Sequence, residues 1–209
     1  GSMSDSQLNI SSEDASESKG LTEDSELELG CVVNPELLQA IKHGNILPGL
    51  LSHLTTSLRD EYGNAVGGDE LSNKIVGLYF SAGWCGPCRA FSPVLKKFHE
   101  EYMDDFRVVF VSMDRSERDM VEYIKGKGFL QVDYKSKSRT ELITKCSVSS
   151  IPSLVIVDGN DGKVITTSGR MAITANPEGC VGSWKQGQSG ISWCDCIALC
   201  LGCKTRKQR

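Results

Sequence analysis

Two cysteines three apart, in Trp84-Cys85-Gly86-Pro87-Cys88, stand between an apolar run of strand type and a run with a helical apolar stripe. A strand that hands a cysteine to the first turn of a helix constrains backbone and chemistry together. That turn has unpaired N–H groups and the positive end of the helix dipole, which stabilise a thiolate and bring such cysteines from a pKa of about 8.5 to about 7 or below. The chemistry expected is thiol–disulfide exchange, with Cys85 attacking a client disulfide and Cys88 resolving the mixed disulfide. A zinc site would need a second ligand pair, and none sits at a convincing spacing in the same domain.

The segments around the motif alternate in period. Lys74 to Ala82 is almost continuously apolar, as a buried parallel strand requires. Phe91, Val94, Leu95, Phe98 and Tyr102 then recur with helical spacing, and Pro93 is expected to kink that helix. Phe106 to Met113 reads as a second core strand and Glu117 to Lys127 as a second amphipathic helix, so a right-handed parallel crossover follows. Thr140 to Cys146 is a short helix candidate. Residues 153 to 167 read as an antiparallel hairpin turning at Asp158-Gly159-Asn160-Asp161-Gly162, and Pro177 to Trp184 as a closing helix or turn. Upstream, Leu37, Leu38 and Ile41 behind Asn34-Pro35 have helical spacing, and Gly63, Gly67 and Gly68 mark a turn or hairpin loop.

The net charge of −4 is unevenly distributed. Residues 1 to 30 carry eight acids against Lys19, are rich in serine and poor in aromatics, and are expected to be disordered. The last six residues carry four bases. The expected organisation is an acidic segment over 1–30, one domain over 31–185 and a cysteine-rich basic tail over 186–209. No apolar signal core or myristoylation glycine follows Met3, so a cytoplasmic location is expected. Nine cysteines in such a chain do not imply a disulfide framework. Cys31, Cys146 and Cys180 read as small buried thiols, and His43, His53 and His99, without ligand spacing, as surface or interface residues.

Cys194, Cys196, Cys200 and Cys203 lie in an apolar stretch too short to span a bilayer, directly before Lys-Thr-Arg-Lys-Gln-Arg. Acylation with attachment to a membrane surface, a four-thiolate zinc site and an unmodified tail are all compatible with this pattern.

At this level of detail the chain resembles the thioredoxin superfamily. A strand delivers Trp-Cys-Gly-Pro-Cys, a proline-containing helix and a βαβ crossover follow, and Ile151-Pro152 precedes a hairpin. The segments LYFSAGWCGPCRAFSPVL, VVFVSMDRSE, SIPSLVIVDGNDGKVITT and NPEG are similar to the tryparedoxin and nucleoredoxin branch. The resemblance implies a mixed central β-sheet flanked by helices, a thioredoxin-like α/β fold, and reduction of protein disulfides. It also shows departures. Tyr79 stands where thioredoxins carry a buried aspartate, Gly86-Pro87 where the branch has Pro-Pro, Met113-Asp114 where it has Trp-Asp, and Gly128-Phe129-Leu130 where it has Pro-Trp-Leu.

The resemblance implies that Pro152 is cis and faces the cysteines, leaving Ile151 to pair with an extended client. Trp84 shapes the contact surface, and Pro87 limits donors beside the sulfurs. Tyr79 is either a hydrogen-bonding neighbour of Cys88, and so part of a proton relay, or packing alone. Asp114 is either a proton acceptor or the N-cap of the helix opening at Ser116-Glu117. No bound cofactor or metal and no nucleic-acid partner is expected. The reductant would be a low-molecular-weight dithiol or a flavoprotein reductase, and the clients disulfide-containing proteins such as peroxidases. A redox-sensitive adaptor that binds signalling partners without turnover is the alternative.

Overall fold

The computed structural model describes residues 50–191. In chain order the elements are α1 (Leu50–Ser57), β1 (Leu58–Arg59), a 3-10 turn (Gly68–Leu71), β2 (Ile75–Ser81), α2 (Gly86–Glu101), β3 (Phe106–Ser112) and α3 (Glu117–Ile124). They continue with β4 (Leu130–Val132), α4 (Lys137–Lys145), β5 (Ser153–Asp158), β6 (Val164–Thr166), α5 (Gly169–Ala175) and α6 (Cys180–Lys185). The sheet order is β1-β4-β3-β2-β5-β6. β2 runs parallel to β3, from Ile75 opposite Phe106 to Ser81 opposite Ser112, and antiparallel to β5.

All seven residues of β2 are buried because helices cover both faces of the sheet. Side chains of a strand alternate between faces. Ile75 and Tyr79 accordingly join Phe91, Leu95 and Phe98 of α2, with Phe110 and Trp184, in one core. Val76, Leu78 and Phe80 join Leu54, Leu142, Val109 and Val111 in the other. Gly77 is small for a reason: a Cβ there would lie 2.7 Å from the Phe106 ring.

Three sequence-based expectations need adjustment. The second amphipathic helix ends at Ile124 rather than Lys127, because Gly126 and Gly128 take positive φ and Glu61 accepts both of their N–H groups at 3.0 and 3.2 Å. α4 starts three residues before Thr140, where the Ser136 hydroxyl accepts from Ser138 N–H. His99 is a core residue, 5% exposed, with its ring edge-on to Phe129 and Nε2 3.2 Å from the Gly128 carbonyl. The short strands β1 and β4 and helix α5 are further elements that the sequence reading did not contain.

Burial, partly offset by the Gly128 carbonyl, lowers the pKa of His99. A base whose folded pKa is depressed resists protonation in the native state. Its contribution to stability is complete above about pH 7 and is lost as the pH falls through the unfolded value of about 6.5. The urea midpoint of the wild type is expected to fall between pH 7.5 and 5.5 by more than that of His99→Leu; equal falls would contradict the assignment.

The helix read from Asn34, Cys31, His43 and the cysteines at 194, 196, 200 and 203 lie outside the described residues, and so does the His53 side chain. Among the described residues, no helix is long and apolar enough to cross a membrane.

Candidate active site

The end of β2 and the start of α2 place the two thiols. Cys85 is the N-cap of α2, in extended conformation, and its Sγ accepts the Cys88 N–H at 3.4 Å. The sulfur thus takes the position that a serine or aspartate oxygen fills in an ordinary helix cap. Gly86 and Pro87 form the first turn and are exposed, and a Cβ on Gly86 would meet nothing within 4 Å. Cys85 is 7% exposed and Cys88 fully buried beneath it. Burial, reinforced by its hydrogen bond to Cys85, raises the pKa of Cys88, while the neighbouring Ser81 hydroxyl opposes the rise. The inner sulfur is therefore held in its protonated form.

The Ile151–Pro152 peptide is cis, and the Ile151 carbonyl lies 3.8 Å from Cys85 Sγ. Arg170 of α5 donates to the Pro152 carbonyl at 2.8 Å while its guanidinium lies over the Phe91 ring. Arg170 ties this loop to α2. It belongs to an element absent from the sequence reading, and no local signal pointed to it.

Tyr79 is packed and also hydrogen-bonded beside Cys88. Its ring packs against Phe91, Phe110 and Phe129, and its hydroxyl reaches the Cys88 carbonyl at 3.3 Å and Ser92 Oγ at 3.0 Å. Burial raises its pKa strongly, so the phenol remains protonated.

Asp114 is not the N-cap of α3: the Ser116 hydroxyl accepts from Asp119 N–H instead. The Asp114 carboxylate turns back to the active-site loop, where Oδ1 accepts Gly83 N–H at 2.7 Å and Oδ2 accepts the Ser112 hydroxyl at 2.9 Å. Burial raises its pKa against these two bonds. Trp84 is 54% exposed, donates from Nε1 to the Met113 carbonyl at 3.3 Å, and forms the rim of a groove of about 690 Å³. Arg89, Asp114, Arg115, Tyr123 and Lys127 also line that groove.

Cys146 and Cys180 are buried in the two cores. Burial pushes each thiol up to about 12, which leaves both protonated and inert near neutrality. Among the described residues, no group of three or more His, Cys, Asp or Glu side chains is placed to hold a metal ion.

A sheet with this strand order, a Cys-x-x-Cys helix start and a cis-proline opposite it define the thioredoxin-like class of fold. Residues 73–164 match the Thioredoxin-like family model. A tryparedoxin of Trypanosoma brucei brucei is 36% identical over 141 residues, 66% of this chain and 94% of that protein. The nucleoredoxin of Danio rerio is 35% identical over 52% of this chain, which spans only 27% of that longer protein. Among solved structures, tryparedoxin II complexed with glutathionylspermidine superposes with a TM-score of 0.59 at 32% identity, covering 64% of this chain and 94% of that one. Thioredoxin from Wuchereria bancrofti gives 0.54 at 41% identity, covering 62% and 94%. The chain belongs to the thioredoxin-like oxidoreductase family, among the homologues of tryparedoxin and nucleoredoxin.

Proposed function

We propose that this chain reduces protein disulfides by dithiol exchange, in the manner of a tryparedoxin. The observation that carries the reading is the placing of Cys85: its sulfur caps a helix beside the exposed Gly86-Pro87 corner and has a fully buried protonated thiol directly behind it. Cys85 Sγ attacks one sulfur of a client disulfide, and the other client sulfur leaves with the electron pair and takes up a proton. Cys88 then attacks Cys85 Sγ. The second client sulfur leaves, the client is fully reduced and the pair is oxidised.

An extended client segment would pair with the backbone at Ile151, displacing the weak contact between its carbonyl and the Cys85 thiol. Trp84 and the exposed Gly86-Pro87 corner would form the rest of the contact surface. The clients proposed are peroxidases and similar disulfide-containing proteins in the cytoplasm. The reductant proposed is a low-molecular-weight dithiol, a choice that the tryparedoxin relatives favour over a flavoprotein reductase. Acylation of Cys194, Cys196, Cys200 and Cys203, bringing the tail to a membrane surface, is a separate proposal. Hydroxylamine-labile mass on those residues in cell-derived protein would be its mark, and its absence from membrane fractions would remove it.

Insulin-disulfide reduction with a dithiol supplied tests the main reading. The wild type is expected to turn over and Cys85→Ser to fall to the rate without protein. Equal inactivity of the two would favour the adaptor.

A further inference from the structure

Arg89, Arg115 and Lys127 line the groove beside Trp84, and among the described residues none of them lies within ion-pairing distance of a carboxylate. Arg115 follows directly on Met113 and Asp114, whose carbonyl and carboxylate hold Trp84 Nε1 and Gly83 N–H at 3.3 and 2.7 Å. Its exposed guanidinium lies over the Trp84 ring, 5.8 Å from the centroid. Arg89 stands one turn after Cys85 on α2. Its N–H bonds the Cys85 carbonyl at 3.1 Å, and its Nη1 donates to the Gly83 carbonyl at 2.9 Å. Both arginines are thus tied to the backbone that sets the nucleophile and its neighbouring indole.

The acids of the same groove do not cancel these charges evenly. Asp114 is buried, and its two oxygens are taken by Gly83 N–H and the Ser112 hydroxyl. Asp119 lies 4.0 Å from Arg118, which leaves Glu122 to oppose the bases. A groove with this mixture is no general trap for polyanions. It presents two fixed guanidiniums, one with its face on an indole and its edge turned to solvent, and such edges match a single carboxylate.

We propose that Arg89 and Arg115 select client disulfides that carry an acidic residue beside the reacting cysteine. The Asp or Glu carboxylate of the client accepts N–H groups from the two guanidiniums while the client sulfur meets Cys85 Sγ. The inference rests on the exchange reaction proposed above and names the chemistry of its client. An exposed ion pair is worth up to about fivefold, so two acting together should favour an acidic over a basic client by about tenfold.

The test uses three peptides, alike except for Asp, Asn or Lys next to a cysteine that is blocked as its thiopyridyl disulfide. Attack by Cys85 on the peptide sulfur breaks the bond to the pyridyl sulfur and releases coloured thiopyridone. Pre-reduced protein in a single turnover keeps the reductant out of the measurement, and dividing by the rate with dithiothreitol corrects for the intrinsic reactivity of each peptide. The wild type is expected to rank Asp above Asn above Lys. The preference should shrink in 1 M salt, where charges are screened beyond about 3 Å. Arg89→Gln and Arg115→Gln should each weaken it, and Arg115→Glu should reverse it. Each preference is a ratio within one protein, so a change in the reactivity of Cys85 itself cancels. Equal rates with the three peptides in the wild type, or a ratio untouched by Arg89→Gln and Arg115→Glu, would overturn the selection. Equal peptide rates joined to an Arg115-dependent preference of the oxidised protein for dihydrolipoate over dithiothreitol would assign the cations to the reductant, and would overturn it too. Thiopyridone release no faster than with Cys85→Ser, for every peptide, would instead overturn the exchange reading.

Discussion

Cys88→Ser is expected to stop turnover at the mixed disulfide and to accumulate client proteins bound covalently through Cys85. Attack needs only the outer thiol, which the variant keeps, whereas release needs an internal nucleophile. Cys88 is that nucleophile by position, since its backbone N–H already reaches Cys85 Sγ at 3.4 Å. No described cysteine replaces it: Cys146 and Cys180 are buried, with thiols pushed up to about 12. Non-reducing electrophoresis of the variant after mixing with oxidised clients should show adducts that dithiothreitol dissolves. Peptide mass mapping should place the bond on Cys85 rather than on a cysteine of the tail. Adducts mapping to Cys194–Cys203, or none beyond those formed by Cys85→Ser, would refute the assignment of attacking and resolving thiols.

Trp184→Ala should give the largest loss of stability among single core truncations, about 3–5 kcal/mol. Trp184 is 1% exposed, with its ring 5.6 Å from Phe106 and 6.1 Å from Phe98 between centroids. Its indole N–H donates to the Ser189 carbonyl at 3.1 Å, and a Cβ on Gly190, which takes φ +78°, would lie 2.7 Å from the same nitrogen. Helix α6 and the turn after it thus lock through this side chain onto the face of the sheet that carries Tyr79 and α2. Truncation removes the ring's buried contacts and leaves a cavity with the Ser189 carbonyl unpaired. The urea midpoint measures the loss, and a change below about 1 kcal/mol would contradict this packing.

The central elements were legible because their periodicity is strong. β2 and β3 are apolar at nearly every position, as burial on two faces demands, and the stripe Phe91, Leu95, Phe98 marks α2 without ambiguity. The cysteine pair and Ile151-Pro152 are local motifs, so they were visible before any folding was considered. What escaped depends on distant partners. β4 is three residues long and earns its hydrogen bonds only between β1 and β3, while α5 opens with glycine and has no side-chain cap. A helix cap was one of the two readings of Asp114, because an acid near a helix start commonly is one. The bond to Gly83 that it makes instead spans 31 residues and has no local signature. Tyr123 escaped likewise, since its partners Ser81 and Ser92 sit on two other elements. His99 looked like a surface residue because Lys96, Lys97, Glu100 and Glu101 surround it in sequence, yet the fold turns its ring towards Phe129.

The central claim is that the outer thiol at the cap of α2 and the buried thiol one turn on form a reversible redox pair. Equilibrating the protein in glutathione buffers of graded potential, quenching with an alkylating reagent and reading the peptide containing both residues by mass tests it directly. The account predicts a single two-electron transition between linked and alkylated forms of Cys85 and Cys88, with a midpoint roughly between −200 and −270 mV. Alkylation of both thiols at every potential, or bonds running from Cys85 to other cysteines in place of Cys88, would contradict it.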